Sequence, residues 1–207
     1  MAMRLIAVRH CETGWNRERR FQGWQDSPLS DRGRAQADAV SRALSAEKLG
    51  AVYASPLGRA VETAEAIARP HGLSVVAEPA FKEMCFGAWE GLAVEDVKLK
   101  FPDDFQTWRA EPHRARFGGP ETVETVQART LAGLEALQAR HDGQAIVVVS
   151  HSIVVRLITL HALGLPASRL WTVTAEPAGI TEIEYRPGWT SVHRMNTQQH
   201  LEGALAP

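Results

Sequence analysis

Two uninterrupted apolar runs end in histidine, and no other feature constrains this chain so tightly. Leu5-Ile6-Ala7-Val8 stops at Arg9-His10, and Ala145-Ile146-Val147-Val148-Val149 stops at Ser150-His151. A short run of this kind, bounded by turn residues, reads as a strand buried on both faces, which is characteristic of a parallel sheet. Open α/β sheets bind ligands at the carboxyl ends of their strands. In a parallel sheet those ends open on one side, so His10 and His151 can meet there.

The intervening sequence supplies the crossovers. Ser30 and Asp31 form a helix entry, with Ala35, Ala39, Val40, Ala43 and Leu44 on one face and Gly50 closing the helix. Ala51–Ala54 reads as a second strand, and a helix from Gly58 to Ala68 stops at Pro70 and Gly72. Leu73–Ala77 reads as a third strand. The segment from Phe81 to Gly91 is irregular and aromatic. Residues 92–120, broken by Pro102, Pro112 and Gly118-Gly119-Pro120, read as a small cap insertion. Val123, Val126, Leu131, Leu134 and Leu137 recur at helical spacing, predicting a helix over 122–140. A helix over 153–163 follows the second histidine. Ile180–Tyr185 and Val192–Met195, around Arg186-Pro187-Gly188, predict an edge hairpin. Residues 15–29 read as a polar loop. The expected fold is a three-layer α/β/α domain over 1–207: a mostly parallel twisted sheet, helices on both faces and an antiparallel edge hairpin.

The 207 residues carry a formal net charge of -1, so no global field draws the chain to nucleic acid or to an anionic membrane. An anion must instead be held by local arginines. No apolar run is long enough to span a bilayer. Cys11 and Cys85 are too few for a disulfide framework, and Met1-Ala2-Met3-Arg4 carries no secretory pattern. Together these point to a cytoplasmic protein.

Arg59 stands just inside a helix that itself follows a strand end, a place where the helix start already favours anions. It therefore joins Arg9, His10 and His151 as a candidate grip on a phosphoryl group. The blocks carrying these residues are Arg9-His10-x-Glu12-Thr13-x-x-Asn16, Ser55-Pro56-Leu57-x-Arg59-Ala60-x-x-Thr63-Ala64, Glu83-x-x-x-Gly87-x-Trp89-Glu90-Gly91 and Val149-Ser150-His151. In this order they resemble the histidine phosphatase (phosphoglycerate mutase-like) superfamily, in particular its short, broad-specificity phosphatase branch. Phe21-Gln22-Gly23-Trp24-Gln25-Asp26-Ser27-Pro28-Leu29, continued by Arg32-Gly33, is similar to the family's next segment.

The resemblance implies roles. His10 is the nucleophile and becomes a phosphohistidine, while Glu83 is the general acid and then the base. Arg9, Arg59 and His151 grip the phosphoryl oxygens, with Asn16, Gln22, Gly23 and Ser152 at the substrate. No metal and no cofactor are expected. The partner would be a small phosphorylated metabolite, and the edge hairpin leaves room for a homodimer. Physical chemistry agrees: guanidinium neighbours keep His10 neutral for attack, and the apolar Phe81, Met84 and Phe86 favour a protonated Glu83. Two residues depart from the family, Cys11 and Ser152, each standing where glycine is usual. Both are expected to flank and narrow the phosphate pocket.

Several other readings compete. His10-Cys11, five residues and Arg17 spell the short signature of cysteine-dependent phosphatases, but Glu12 would place a like charge in that loop. The eight histidines invite a metal hydrolase, yet none are paired as H-x-x-x-H and the arginines would repel a cation. A non-catalytic phosphate-binding protein would be expected to lack the nucleophile or the acid. Phosphoglycerate mutase is the alternative within the family, but the cap is modest and its basic residues (Lys98, Lys100, Arg109, Arg114, Arg116) are scattered. His113 with Arg114 and Arg116 reads as a solvated face within reach of substrate. Trp15, Trp24 and Trp89 are candidates either for lining the pocket or for packing.

Overall fold

The computed structural model describes residues 2–202. Six strands form one sheet: β1 (Met3–Arg9), β2 (Leu49–Ala54), β3 (Val75–Ala77), β4 (Ala145–Ser150), β5 (Ile180–Arg186) and β6 (Trp189–Thr197), in the order β3-β2-β4-β1-β5-β6. β3, β2, β4 and β1 run parallel, whereas β5 is antiparallel to β1 and pairs with β6 as the edge hairpin. The helices are α1 (Gly14–Arg17), α2 (Asp31–Leu44), α3 (Gly58–Ala68), α4 (Val94–Lys100), α5 (Pro102–Ala110), α6 (Val123–Arg140) and α7 (Ser152–Ala162).

The pleat sorts the apolar strand residues into two cores. Leu5 and Ala7 of β1, with Ile146 and Val148 of β4, pack with Val126, Leu134 and Leu137 of α6 and Leu157 and Ile158 of α7. Their neighbours Ile6, Val8, Val147 and Val149 face the other way, onto Ala37 and Val40 of α2 and Ala60, Ala64 and Ile67 of α3. Side chains alternate across a strand, so an unbroken apolar run is what a sheet covered on both faces requires.

The chain leaves β1 past β4 to reach β2, and leaves β4 past β1 to reach β5. The crevice between the β1 and β4 ends is thus a topological switch point, where α/β sheets open to ligands. The register pairs Arg9 with Ser150 across it. The following loop is pinned by Gly33 of α2, where an added Cβ would sit 1.9 Å from the Glu12 carbonyl oxygen.

Some boundaries differ from the sequence reading. Gly50 does not close α2, which ends at Leu44; it lies inside β2, where the register shifts between Leu49 and Ala51. That shift is a bulge, and glycine suits one. The polar stretch after β1 contains the short helix α1, opened by a capping box between the N-cap Thr13 and Asn16. β3 begins at Val75 rather than Leu73, whose N–H instead donates to Ala68 O at the end of α3. β6 extends over Trp189–Thr197, beyond the four residues expected.

Candidate active site

His10 follows the last residue of β1, and its backbone N–H donates to Ser150 O at 2.8 Å, fixing it beside the end of β4. His151 is the N-cap of α7. The two imidazole rings lie 5.1 Å apart, centroid to centroid, and both are buried. His10 Nδ1 sits 2.8 Å from Cys11 O. A carbonyl can only accept, so Nδ1 carries the ring proton and Nε2 keeps its lone pair. Burial, then the charges of Arg59 and Arg9, hold His10 well below the usual histidine range, so the ring is neutral.

Arg9 and Arg59 enter from different elements. Arg9 Nη1 donates to Ala175 O at 2.6 Å, and burial pulls its guanidinium down to about 10, still cationic at neutral pH. Arg59, in the first turn of α3, is 1% exposed. Its Nη1 donates to Gln25 O (2.8 Å) and Asp26 Oδ1 (3.0 Å), and its Nη2 to Gly23 O (2.8 Å). Asp26 also accepts the Gly58 N–H at 2.5 Å, so one carboxylate ties the α3 start and the guanidinium together. Gly23 has φ +55°, and a Cβ there would lie 2.0 Å from Glu90 Oε1. Only glycine keeps this turn against Arg59. Arg9 Nε, Arg59 Nε, His151 Nδ1 and Gln22 Oε1 are buried without a protein partner. Unpaired buried polar atoms are costly, and a polar ligand in this cavity would offer these four residues partners.

Glu83 lies in the same cavity and is buried. Its Oε1 accepts the Met84 N–H at 2.8 Å. Its own carbonyl is held by Trp24 Nε1 (2.8 Å) and Arg129 Nη2 (3.1 Å). Desolvation raises its pKa above the usual carboxylate range, opposed by the Met84 N–H and by Arg59 and Arg9. The side chain is thereby poised to hold or release a proton.

The cavity has a volume of about 180 Å³, and its polar lining includes Arg9, His10, Asn16, Gln22, Gly23, Arg59 and Glu83. Asn16 Oδ1 is taken by the Thr13 N–H at 3.0 Å, which leaves the amide nitrogen to face a ligand. Ser152 also lines the cavity, and its Oγ accepts Arg156 Nε at 3.3 Å. Of the site residues expected from the sequence, Arg9, His10, Asn16, Gln22, Gly23, Arg59, Glu83 and Ser152 line this one cavity, and His151, with its ring 5.1 Å from that of His10, adjoins it without being part of the lining.

Cys11 is the exception among the flanking residues. It is fully buried within the α2/α3 core, its N–H donates to Thr63 Oγ1, and burial pushes its thiol up to about 12. It neither narrows the cavity nor supplies a thiolate at neutral pH. Of the two alternatives for the tryptophans, lining the pocket is not the one observed for Trp15, Trp24 or Trp89. Trp89 is core, Trp24 packs under Lys82 Nζ and holds Glu83 from outside, and Trp15 does not line the cavity. The aromatic part of the lining is formed instead by Phe86, Trp108 and Trp171, together with Phe21, and Arg20 and Ile153 complete it. Trp108 of α5 and Trp171 stand edge to face at 4.7 Å, and Trp171 Nε1 donates to Trp108 O at 3.0 Å. No local pattern announces this pair.

The basic cap residues stay out of the lining. Lys98 pairs with Glu95, Arg114 pairs with Glu111, and Arg109 stacks 5.6 Å over Trp171. Among the described residues no group of three or more His, Cys, Asp or Glu is arranged to hold a metal ion. No helix among them is long and apolar enough to cross a membrane.

The family model of the histidine phosphatase superfamily (branch 1) matches residues 5–198. Phosphoserine phosphatase 1 of Hydrogenobacter thermophilus is 37% identical over 199 residues, covering 96% of this chain and 94% of the relative. Phosphoglycerate mutase-like protein 4 of Arabidopsis thaliana is 35% identical over 168 residues, covering 80% and 72%. Among solved structures, the YhfR protein of Bacillus stearothermophilus superposes with a TM-score of 0.89 at 32% identity, covering 96% of this chain and 99% of that one.

Proposed function

The chain belongs to the histidine phosphatase superfamily and is a phosphatase; we propose that it hydrolyses small phosphomonoesters through a phosphohistidine on His10, without a metal ion. The observation that carries this reading is the pinned tautomer of His10: Nδ1 is spent on Cys11 O, so the neutral ring offers Nε2 as the nucleophile. Nε2 attacks phosphorus, and the ester oxygen leaves with the proton of Glu83. The Glu83 carboxylate then takes a proton from water, whose oxygen attacks the phosphohistidine, releasing inorganic phosphate and restoring both residues. Arg9 and Arg59 supply the positive charge that equatorial oxygens demand in phosphoryl transfer, and a cation would be repelled where they stand.

A cavity of about 180 Å³ suits a small ester, since pockets for drug-sized ligands run to roughly 300–1,000 Å³. The relative named phosphoserine phosphatase makes phosphoserine the first substrate to test. Phosphoglycerate mutase is the second reading, favoured by the mutase-like relative. Against it stands the absence of the cap's basic residues from the cavity lining, Lys98 and Arg114 being paired with Glu95 and Glu111 instead.

The test is a hydrolysis screen over small phosphomonoesters in chelator, with His10→Ala as the blank. Turnover in the parent and none in the variant is expected. Retained turnover in the variant, or interconversion of 3-phosphoglycerate faster than any hydrolysis, overturns the reading.

A further inference from the structure

The two nitrogens of the His151 ring meet different surroundings. Nε2 lies 2.7 Å from Ser55 Oγ, whereas Nδ1 is buried with no partner. Ser55 follows β2, its own N–H donates to Val149 O, and it is fully buried. Its hydroxyl oxygen also accepts the Leu57 N–H at 3.3 Å. A serine hydroxyl has one proton and two acceptor positions. If His151 Nε2–H donated to Ser55, the serine proton would need another acceptor, and no other partner of Ser55 Oγ is found among the described residues. If Ser55 O–H donates to Nε2 instead, every hydrogen between them is used and the ring proton must sit on Nδ1. Double protonation is opposed by burial and by the charges of Arg59, Arg9 and Arg129 around the ring.

Resting on the phosphohistidine reading, we infer that Ser55 is a positioning residue that fixes His151 as the Nδ1–H tautomer, a neutral donor for the phosphoryl oxygens beside His10. The two imidazoles then carry their proton on the same atom for opposite reasons. At His10 a carbonyl that can only accept holds Nδ1–H and frees a lone pair. At His151 a hydroxyl that must donate occupies the lone pair and frees an N–H. One ring is left to attack and the other to stabilise.

The experiment is ¹H–¹⁵N correlation of histidine ring nitrogens in the intact enzyme, with and without inorganic phosphate, alongside kinetics of Ser55→Ala and Ser55→Thr. In the parent, His151 should show its proton on Nδ1, and that signal should move when phosphate is added. Ser55→Ala should populate the Nε2–H form, weaken phosphate binding and lower kcat by roughly 10–100-fold, a fraction of what a lost oxyanion donor costs. Ser55→Thr, which keeps the hydroxyl, should restore the parent tautomer. A variant that is merely less stable would lose active fraction without changing tautomer or phosphate affinity. A parent His151 protonated on Nε2, or Ser55→Ala with unchanged tautomer and kcat, overturns the inference. If either occurs while a His10 phosphoenzyme still forms, only the role of Ser55 is lost. If no His10 phosphoenzyme forms, the underlying mechanism falls and the role of Ser55 falls with it.

Discussion

The charged floor of the cavity and its aromatic wall are built by different rules. The floor consists of side chains set by backbone geometry, His10 at the end of β1 and Arg59 in the first turn of α3, with His151 at the cap of α7 against the His10 ring. Their positions follow from strand register and crossover direction. The wall, Phe86, Trp108 and Trp171, is assembled from a loop, a cap helix and a 3₁₀ segment, held by edge-to-face packing and one indole hydrogen bond. On the proposed mechanism the floor carries the reaction. On the same proposal the wall would meet whatever is attached to the phosphate.

Changes to the floor should therefore lower kcat for every ester, and changes to the wall should alter KM for some. The largest expected effect is His10→Ala. Removing a nucleophile should cut phosphate release by roughly 10⁴–10⁶-fold whatever the leaving group. Glu83→Gln should come next, at roughly 10²–10⁴-fold, the contribution of general acid–base catalysis. Its effect on the first step should shrink for p-nitrophenyl phosphate, whose phenolate departs without a proton, as a single-turnover burst would register. An equal loss for all leaving groups would contradict the acid role.

The floor should also be visible in stability. His10 and His151 are held neutral in the folded chain, with pKa values below the unfolded value near 6.5. The unfolded state therefore binds more protons as pH drops below 6.5, and stability falls there by up to about 1.4 kcal/mol per pH unit for each ring. Stability is fully present above 6.5. Glu83 acts in the opposite sense: its folded pKa is raised, so its cost appears as pH rises above the unfolded carboxylate value and is absent below it. Denaturant midpoints across pH should thus be flatter on the acid side in a His10→Gln, His151→Gln protein. Glu83→Gln should unfold later than the parent at neutral pH but not in acid. A parent whose stability ignores pH between 5 and 6.5 would show that the rings are not held neutral.

The smallest effect belongs to the wall. Trp171→Ala should raise KM about tenfold for esters with an organic body large enough to reach it, the scale of one lost apolar contact, and leave kcat nearly unchanged. A uniform loss of kcat would place Trp171 with the floor.

This contrast also explains what was legible in the sequence. Apolar runs ending in Arg9-His10 and Ser150-His151 announce parallel strands and the residues at their ends, because burial and pleat act locally. Trp108 and Trp171 are far apart in the chain and belong to no periodic pattern, so nothing short of three-dimensional packing joins them. Cys11 shows the limit even one residue from the nucleophile. Adjacency to His10 suggested the pocket, yet its side chain turns into the α2/α3 core. Gly50 misleads similarly, since a glycine after a helix pattern reads as a stop and here serves a bulge.

The proposed route takes phosphate through His10 Nε2. Glu83→Gln enzyme mixed with p-nitrophenyl phosphate, quenched in alkali and mapped by mass spectrometry, tests it most directly, because that ester needs no acid to leave and the variant cannot activate water. The expected result is one phosphoryl group, on the peptide bearing His10 and on that residue. Phosphate on Cys11, or p-nitrophenol released at the full rate with no phosphoryl group on the protein, would contradict it.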